Sequence, residues 1–329
     1  MATFRRSRGR RGSALLFVLW VSAALAAIAF SLSNTVLGET QRTSTEVDGL
    51  RAYYLAAGGL QRAAFERYWS ILVPNKYPVD IHSTHIEYTL PSGQVGVDII
   101  PETAKLSINY APPEELYRLL VALGAEPGRA GEIAAAIVDW RTPSPPGAFD
   151  QYYLSLTPSF RSRHASFEEI EELLSVKGIT PELFYGTYVP APEGAPADGP
   201  RLLPRTGLID CVSVFGSTTA IDANTAAAPV LAAVGMTPDA INVLLQRRRN
   251  GPFTQAELAE FLPLAGPAGG RLRIGGNSIF TLKATGRLRL ANGQLSDLRR
   301  TVGALVKYMP EGYDAPIHIL RWYDTAWSN

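Results

Sequence analysis

The sequence predicts an α+β fold: a long N-terminal helix, then an antiparallel sheet into which a large helical domain is inserted. Three observations lead there. An uncharged apolar stretch follows an arginine cluster at the N-terminus. Period-two alternation occurs at 85–102 and again at 279–308, the mark of strands with one buried face. Between them, residues 112–261 carry helical periodicity broken by glycine and proline.

Residues 13–32 contain no charge. At 1.5 Å per residue, about twenty helical residues span the roughly 30 Å hydrocarbon core of a bilayer. The arginines just before this stretch predict a cytoplasmic N-terminus, with the body on the far side of the membrane. Three readings compete: a cleaved secretory signal, a plain anchor and a prepilin leader. A secretory signal has an apolar core of about 7–15 residues and does not run on as a helix. Here no proline occurs from Asn34 to Leu72, and Leu50, Tyr53, Tyr54, Leu60, Ala64 and Phe65 recur at helical spacing. A single helix over 13–72 is about 90 Å long by the rise per residue.

In the body, 85–102 reads as a hairpin. Ile86, Tyr88 and Leu90 lie on one arm, Val95, Val97 and Ile99 on the other, with Pro91-Ser92-Gly93 at the turn. Leu106 and Ile108 are expected to extend that sheet. Helix follows over 112–140 with a break at 124–128. Residues 141–164 are proline-rich, 167–174 form a short acidic helix, and 181–185 begin another. Residues 189–204 read as a spacer, and helix returns over 226–261. Residues 279–290 alternate, Asn292-Gly293 turns the chain, 298–308 pair back, and 317–322 form a last strand.

The helical block holds a repeat. Leu106-Ser107-Ile108-Asn109-Tyr110-Ala111 precedes two helices joined at Leu123-Gly124-Ala125. Ala220-Ile221-Asp222-Ala223-Asn224-Thr225-Ala226 precedes two joined at Val234-Gly235-Met236-Thr237. The units end at Ser166-Phe167-Glu168-Glu169-Ile170 and Phe253-Thr254-Gln255-Ala256-Glu257-Leu258. A third turn of the same form is Lys177-Gly178-Ile179. These are helix-hairpin-helix (SAM-like) units, with glycine in the tight turn and an apolar residue packed between the helices. Asn109 and Asn224 sit where N-caps belong.

Arg10-Arg11-Gly12-Ser13-Ala14-Leu15-Leu16 resembles the leader cut by prepilin peptidase, with the cut between Gly12 and Ser13. Most pilins carry Glu at the fifth place after the cut; here it is Phe17. The run from Ala14 to Val21, the segment Tyr53-Tyr54-Leu55-Ala56-Ala57-Gly58-Gly59-Leu60, and the paired hairpins resemble the minor pseudopilin K family of type II secretion, which lacks that Glu. The resemblance implies a pilin-like sheet carrying a large α-domain, and a subunit at the tip of a periplasmic pseudopilus that starts its assembly. It implies an N-methylated Ser13 and a single-pass inner-membrane protein. The partners it implies are the I- and J-type minor pseudopilins, the major pseudopilin, prepilin peptidase and the inner-membrane assembly platform. The corresponding organisation is leader 1–12, helix 13–72, strands 73–109, α-domain 110–275 and strands 276–329.

The family also carries calcium in its α-domain. The matching residues are Asp139, beside Trp140, and Asp150, in Gly147-Ala148-Phe149-Asp150-Gln151-Tyr152-Tyr153. Calcium takes six to eight oxygens, and the acid-rich stretch between these segments is here Arg141-Thr142-Pro143-Ser144-Pro145-Pro146. An altered calcium site and a purely structural pair of aspartates both stand at this point.

Other chemistry finds little support. Residues 1–12 hold five arginines, so with a total of +1 the remainder carries −4, unsuited to neutralising phosphates. The second hairpin unit resembles a periplasmic competence DNA receptor at Asn250-Gly251-Pro252-Phe253, but the hairpins lack the second glycine of phosphate-holding turns. Arg247, Arg248 and Arg249 read as a solvated face. A membrane-anchored DNA receptor and a type IV minor pilin are the alternatives. Cys211 has no intrachain partner and reads as a buried apolar residue. His82 and His85 lack further ligands, and His164 and His318 stand alone. No nucleophile motif or phosphate loop occurs, so the chain reads as no enzyme.

Overall fold

The computed structural model describes residues 11–73, 83–191, 201–276, 278–309 and 312–325. The predicted leader residues 1–10, His82 and most of the spacer lie outside them. Helix α1 runs Arg11–Leu72 without interruption. Residues 14–47 are exposed throughout, and burial begins at Gly49. Along the second half, Ala52, Ala56, Leu60, Ala63 and Ala64 turn inward at spacings of three and four.

This stripe differs from the expected one. Leu60 and Ala64 face the sheet, but Leu50, Tyr54 and Phe65 point to solvent. The reason is steric, because helix and sheet approach too closely for large side chains. A Cβ at Gly286 would lie 2.6 Å from the Ala52 carbonyl oxygen, and one at Gly59 would strike Val95.

The sheet runs β1 (His85–Leu90), β2 (Gly93–Pro101), β9 (Ile279–Arg289), β10 (Leu295–Tyr308) and β11 (Ile317–Tyr323) in that spatial order, antiparallel throughout. Val97 pairs with Ala284 and Leu282 with Ala304, so inward residues stack against α1 in one core. Since β2 and β9 are neighbours, everything between them is an insertion into the sheet.

The insertion has its own core. Its first strand, β3 (Leu106–Ser107), does not extend the main sheet as expected. A 3₁₀ turn at Glu102–Ala104 ends the alternation, and β3 pairs in parallel with β6 (Val212–Ser213) inside the helical domain. Helices α2 (Pro113–Ala122) and α3 (Pro127–Arg141) follow, then α4 (Asp150–Leu154) and α5 (Pro181–Tyr185). The expected helix at 167–174 is a 3₁₀ turn at Ile170–Ser175. Strands β4 (Thr187–Pro190) and β5 (Leu202–Arg205) pair, and α6 (Leu208–Cys211) leads into β6. The stretch expected as helix over 226–261 is α7 (Ala228–Ala233), α8 (Pro238–Arg248) and α9 (Gln255–Phe261), broken at Gly235 and Gly251-Pro252. Strand β7 (Ile221–Asp222), which precedes α7, pairs in parallel with β8 (Leu272–Arg273).

Polar contacts join insertion to sheet. Lys105 Nζ lies 3.0 Å from Glu102, whose carboxylate also accepts from Thr281 of β9. Burial pushes the Glu102 carboxyl up, but the Lys105 charge and hydrogen bonds from Ser213 and Thr281 outweigh it and hold the group ionised. Lys283 pairs with Asp210 at 3.1 Å, and Arg321 with Glu169.

Candidate functional site

The exposed half of α1 is the largest unpartnered feature among the described residues. Phe17 is 71% and Trp20 76% exposed, and Leu15, Leu16, Leu19, Leu25, Ile28, Phe30 and Leu32 are similarly bare. A patch of this size on a soluble surface marks contact with lipid or with other chains. The helix is long and apolar enough to cross a membrane. Gly12 and Ser13 lie at its first turn.

The two halves of the insertion are built alike. Each starts with a two-residue parallel strand, then helix, left-handed glycine and helix. Gly124 has φ 88° and Gly235 φ 95°, where glycine carries no Cβ penalty. Asn109 and Asn224 occupy equivalent places, though neither is the expected N-cap; Pro112 and Ala227 stand there. Instead each amide side chain bridges to the end of its own unit. Asn109 accepts from Phe167 N at 2.7 Å and donates to its carbonyl at 3.0 Å. Asn224 does the same with Phe253, at 2.7 and 3.3 Å.

Two arginines are equivalent too. Arg141 donates to the carbonyls of Ile108 and Ala111, and Arg248 to those of Ala223 and Ala226. The arginine row is therefore not the solvated face expected of it. Arg248 is largely enclosed, Arg247 pairs with Glu257, and of the three only Arg249 is exposed. Burial lowers Arg248 to about 10 and raises the neighbouring Asp222.

The halves differ in one respect. Phe253 follows Arg248 after residues 249–252, whereas Phe167 follows Arg141 after 142–166. That longer loop holds Asp150, one of the two predicted aspartates, and Asp139 lies just before it on α3. Asp139 and Asp150 do meet, and His164, expected to stand alone, joins them; one ligand atom from each falls within 4.8 Å of the others. The Asp139 carboxylate accepts from Ala148 N at 2.8 Å and Phe149 N at 3.4 Å. Asp150 accepts from Gly147 N at 2.9 Å, Ser162 Oγ at 2.5 Å and His164 Nε2 at 2.9 Å. His164 holds φ 47°, a conformation its ring contacts stabilise, and its Nδ1 lies 3.3 Å from the Asp139 carbonyl. A Cβ at Gly147 would press on both Asp139 and His164, so the loop closes tightly. His164 was missed because its partners lie far along the chain and no spacing motif links them.

These contacts make the loop pH-dependent. Hydrogen bonds from Ser162, Gly147 and His164 hold the Asp150 carboxyl at about 2, below its ordinary 3.8. Burial pushes the His164 imidazole down, but its bonds to Asp150 and Asp139 outweigh this and raise it above 6.5. The Asp150 contribution is complete above pH 3.8 and lost as pH falls towards 2. The His164 contribution is complete below pH 6.5 and lost as pH rises through the raised value. Hydrogen-exchange protection factors at Gly147 and Ala148 should therefore peak between pH 4 and 6.5. In His164→Ala the loss above that window should disappear.

Comparison with known proteins agrees with this architecture. The family model for type II secretion system (T2SS), protein K, matches residues 102–186, the segment that begins at Glu102 and contains the loop. Type II secretion system protein K of Klebsiella pneumoniae is 26% identical over 208 residues, covering 53% of this chain and 60% of its own length. The chain thus spans less than two thirds of that relative. Protein K of Pectobacterium carotovorum subsp. carotovorum is 29% identical over 296 residues, covering 80% of this chain and 82% of its own. The solved GspK-GspI-GspJ complex of the enterotoxigenic Escherichia coli type 2 secretion system contains a chain of the same fold, with a TM-score of 0.54 at 19% identity. The match covers 87% of this chain and all of that one. In its long helix, its interrupted sheet and these matches, the chain is similar to type II secretion system protein K.

Proposed function

We propose that the chain is a minor pseudopilin that caps the tip of a type II secretion pseudopilus and starts its assembly. The observation that carries this is a bare apolar helix joined to a sheet that a bulky helical domain interrupts. The helix slots among the helices of other subunits, burying surface that water would otherwise wet. The α-domain widens the head, so a second copy above it is sterically disfavoured. Partners of the I and J types follow from the E. coli complex; the major pseudopilin and the inner-membrane platform follow from the role. Phe17, in place of an acid, fits a subunit with no N-terminal amine ahead of it to neutralise.

On this reading the arginine-rich N-terminus is cytoplasmic, the body periplasmic, and prepilin peptidase cuts between Gly12 and Ser13 before Ser13 is N-methylated. Intact-mass analysis of cells with and without the peptidase tests it. The wild-type chain should lose residues 1–12 only when the peptidase is present. Gly12→Leu should retain them and abolish secretion. A wild-type chain still starting at Met1 in peptidase-positive cells would overturn the reading.

The paired helical units act as helix-hairpin-helix packing modules. Arg247 and Arg248 spend their donors internally, leaving little for a phosphate backbone. The Asp139-Asp150-His164 cluster serves as a hydrogen-bonded loop clasp. Its carboxylates already accept amide, hydroxyl and imidazole donors, and an imidazole is foreign to calcium's oxygen shell. Millimolar calcium or a chelator should leave the melting temperature unchanged. A calcium-dependent rise of several degrees, lost in Asp150→Asn, would restore a calcium site.

A further inference from the structure

The β9–β10 hairpin carries a charge pattern that the tip role does not use. Over 286–303 it holds Arg287, Arg289, Arg299 and Arg300 against a single acid, Asp297. Arg287 and Arg289 donate only to backbone carbonyls, of Ser296 and Gly293. Among the described residues none of the four meets a carboxylate. Arg300 lies over Gly49, with a guanidinium nitrogen 3.1 Å from where a Cβ would be.

The hairpin points back along α1. Arg67 stacks on Phe280, Gly286 sits against Ala52 and Ala56, and Leu290 reaches the level of Val47. The first charge after Arg11 is Glu39, so the uncharged part of the helix extends to residue 38. By the helical rise, Val47 is roughly 22 Å beyond residue 32, where the membrane-spanning stretch ends. The headgroup layer adds about 5–8 Å to the hydrocarbon edge, and the Debye length is about 8–10 Å. Less the headgroup layer, about 15 Å remains, which an extended arginine side chain and one Debye length together cross, so the hairpin tip falls within electrostatic reach of the membrane surface. Leu50, Tyr54 and Leu290 form an exposed apolar floor beside the arginines, a combination suited to the interface.

We propose that this hairpin is a membrane-surface contact that docks on anionic phospholipid headgroups while the subunit is still anchored, holding the body upright before assembly. The proposal rests on the anchored, body-outward reading above. The charge pattern and the position at the membrane end favour lipid over an acidic protein segment.

The test uses the full chain in vesicles, singly labelled with a fluorophore at Ala291→Cys or, separately, at Glu39→Cys. Cys211 is buried and its thiol is pushed up by burial, so it does not compete for label. Headgroup spin-labelled lipid serves as quencher. In phosphatidylcholine with about 30% phosphatidylglycerol, position 291 should be quenched, and salt at about 0.5 M should relieve it. In pure phosphatidylcholine it should stay bright. Arg299→Gln and Arg300→Gln, whose side chains bond to nothing within the described chain, should each lower the contacting population about fivefold. Position 39 should be quenched in every lipid. Quenching at 39 with none at 291 in anionic vesicles overturns the proposal alone and leaves the arginines to an acidic protein partner. Absence of quenching at both positions removes the anchor, and the proposal with it.

Discussion

Replacing Arg248 by methionine is expected to cost about 3–5 kcal/mol of unfolding free energy, read as a shift of the urea midpoint. The methionine side chain fills much of the same volume, so packing is not the main loss. What disappears is the donor for two carbonyls, Ala223 and Ala226, each 2.7 Å from the guanidinium. Both lie at the junction of β7 and α7, where backbone groups lack regular partners. The charge that balanced Asp222 goes too, and that carboxyl is itself buried, accepting from Gly275 N and Thr225. Adding Asp222→Asn should recover part of the loss, since the orphaned charge is then gone. Arg141→Met should cost less, about 1–3 kcal/mol, because Arg141 binds carbonyls alone and balances no buried acid. Equal costs at the two positions would refute this account.

Trp140→Ala is expected to be as damaging, about 3–5 kcal/mol, through the cavity it leaves. Trp140 is 4% exposed and stacks on Phe167 at 6.3 Å between ring centroids. Tyr153 and Phe160 meet it edge-on at 5.4 and 6.2 Å. These rings are the floor under the loop that His164 clasps. The substitution should therefore also raise hydrogen exchange over 142–166, while α8 and α9 stay protected. Trp140→Phe should retain most of both. A uniform loss of protection across the insertion would mean that the aromatic floor supports the whole domain, not the loop.

The equivalent of Trp140 in the second unit is Arg247, which lies over the Phe253 ring at 5.2 Å. The same phenylalanine position thus receives a stacked ring in one unit and a cation in the other. With residues 142–166 inserted, the first unit needs an aromatic floor. The second, with its short connection, does without one.

From the sequence alone came the long N-terminal helix, the hairpin at 85–102, the three closing strands and the paired glycine turns. Each is written in local terms: an uncharged run, alternation of period two, a glycine between two helical patterns. The insertion was legible because strand patterns stood on both sides of a helical block. Tertiary structure alone decided the rest. Leu106 left the sheet because a 3₁₀ turn re-aimed it into a second core. Large apolar residues on α1 gave way to alanine and glycine because the sheet lies too close. Asn109, Asn224, Arg141 and Arg248 found carbonyls in other segments, and His164 found two aspartates. Partners far apart in the chain leave no periodic trace, so only the closed fold determines which buried polar groups meet.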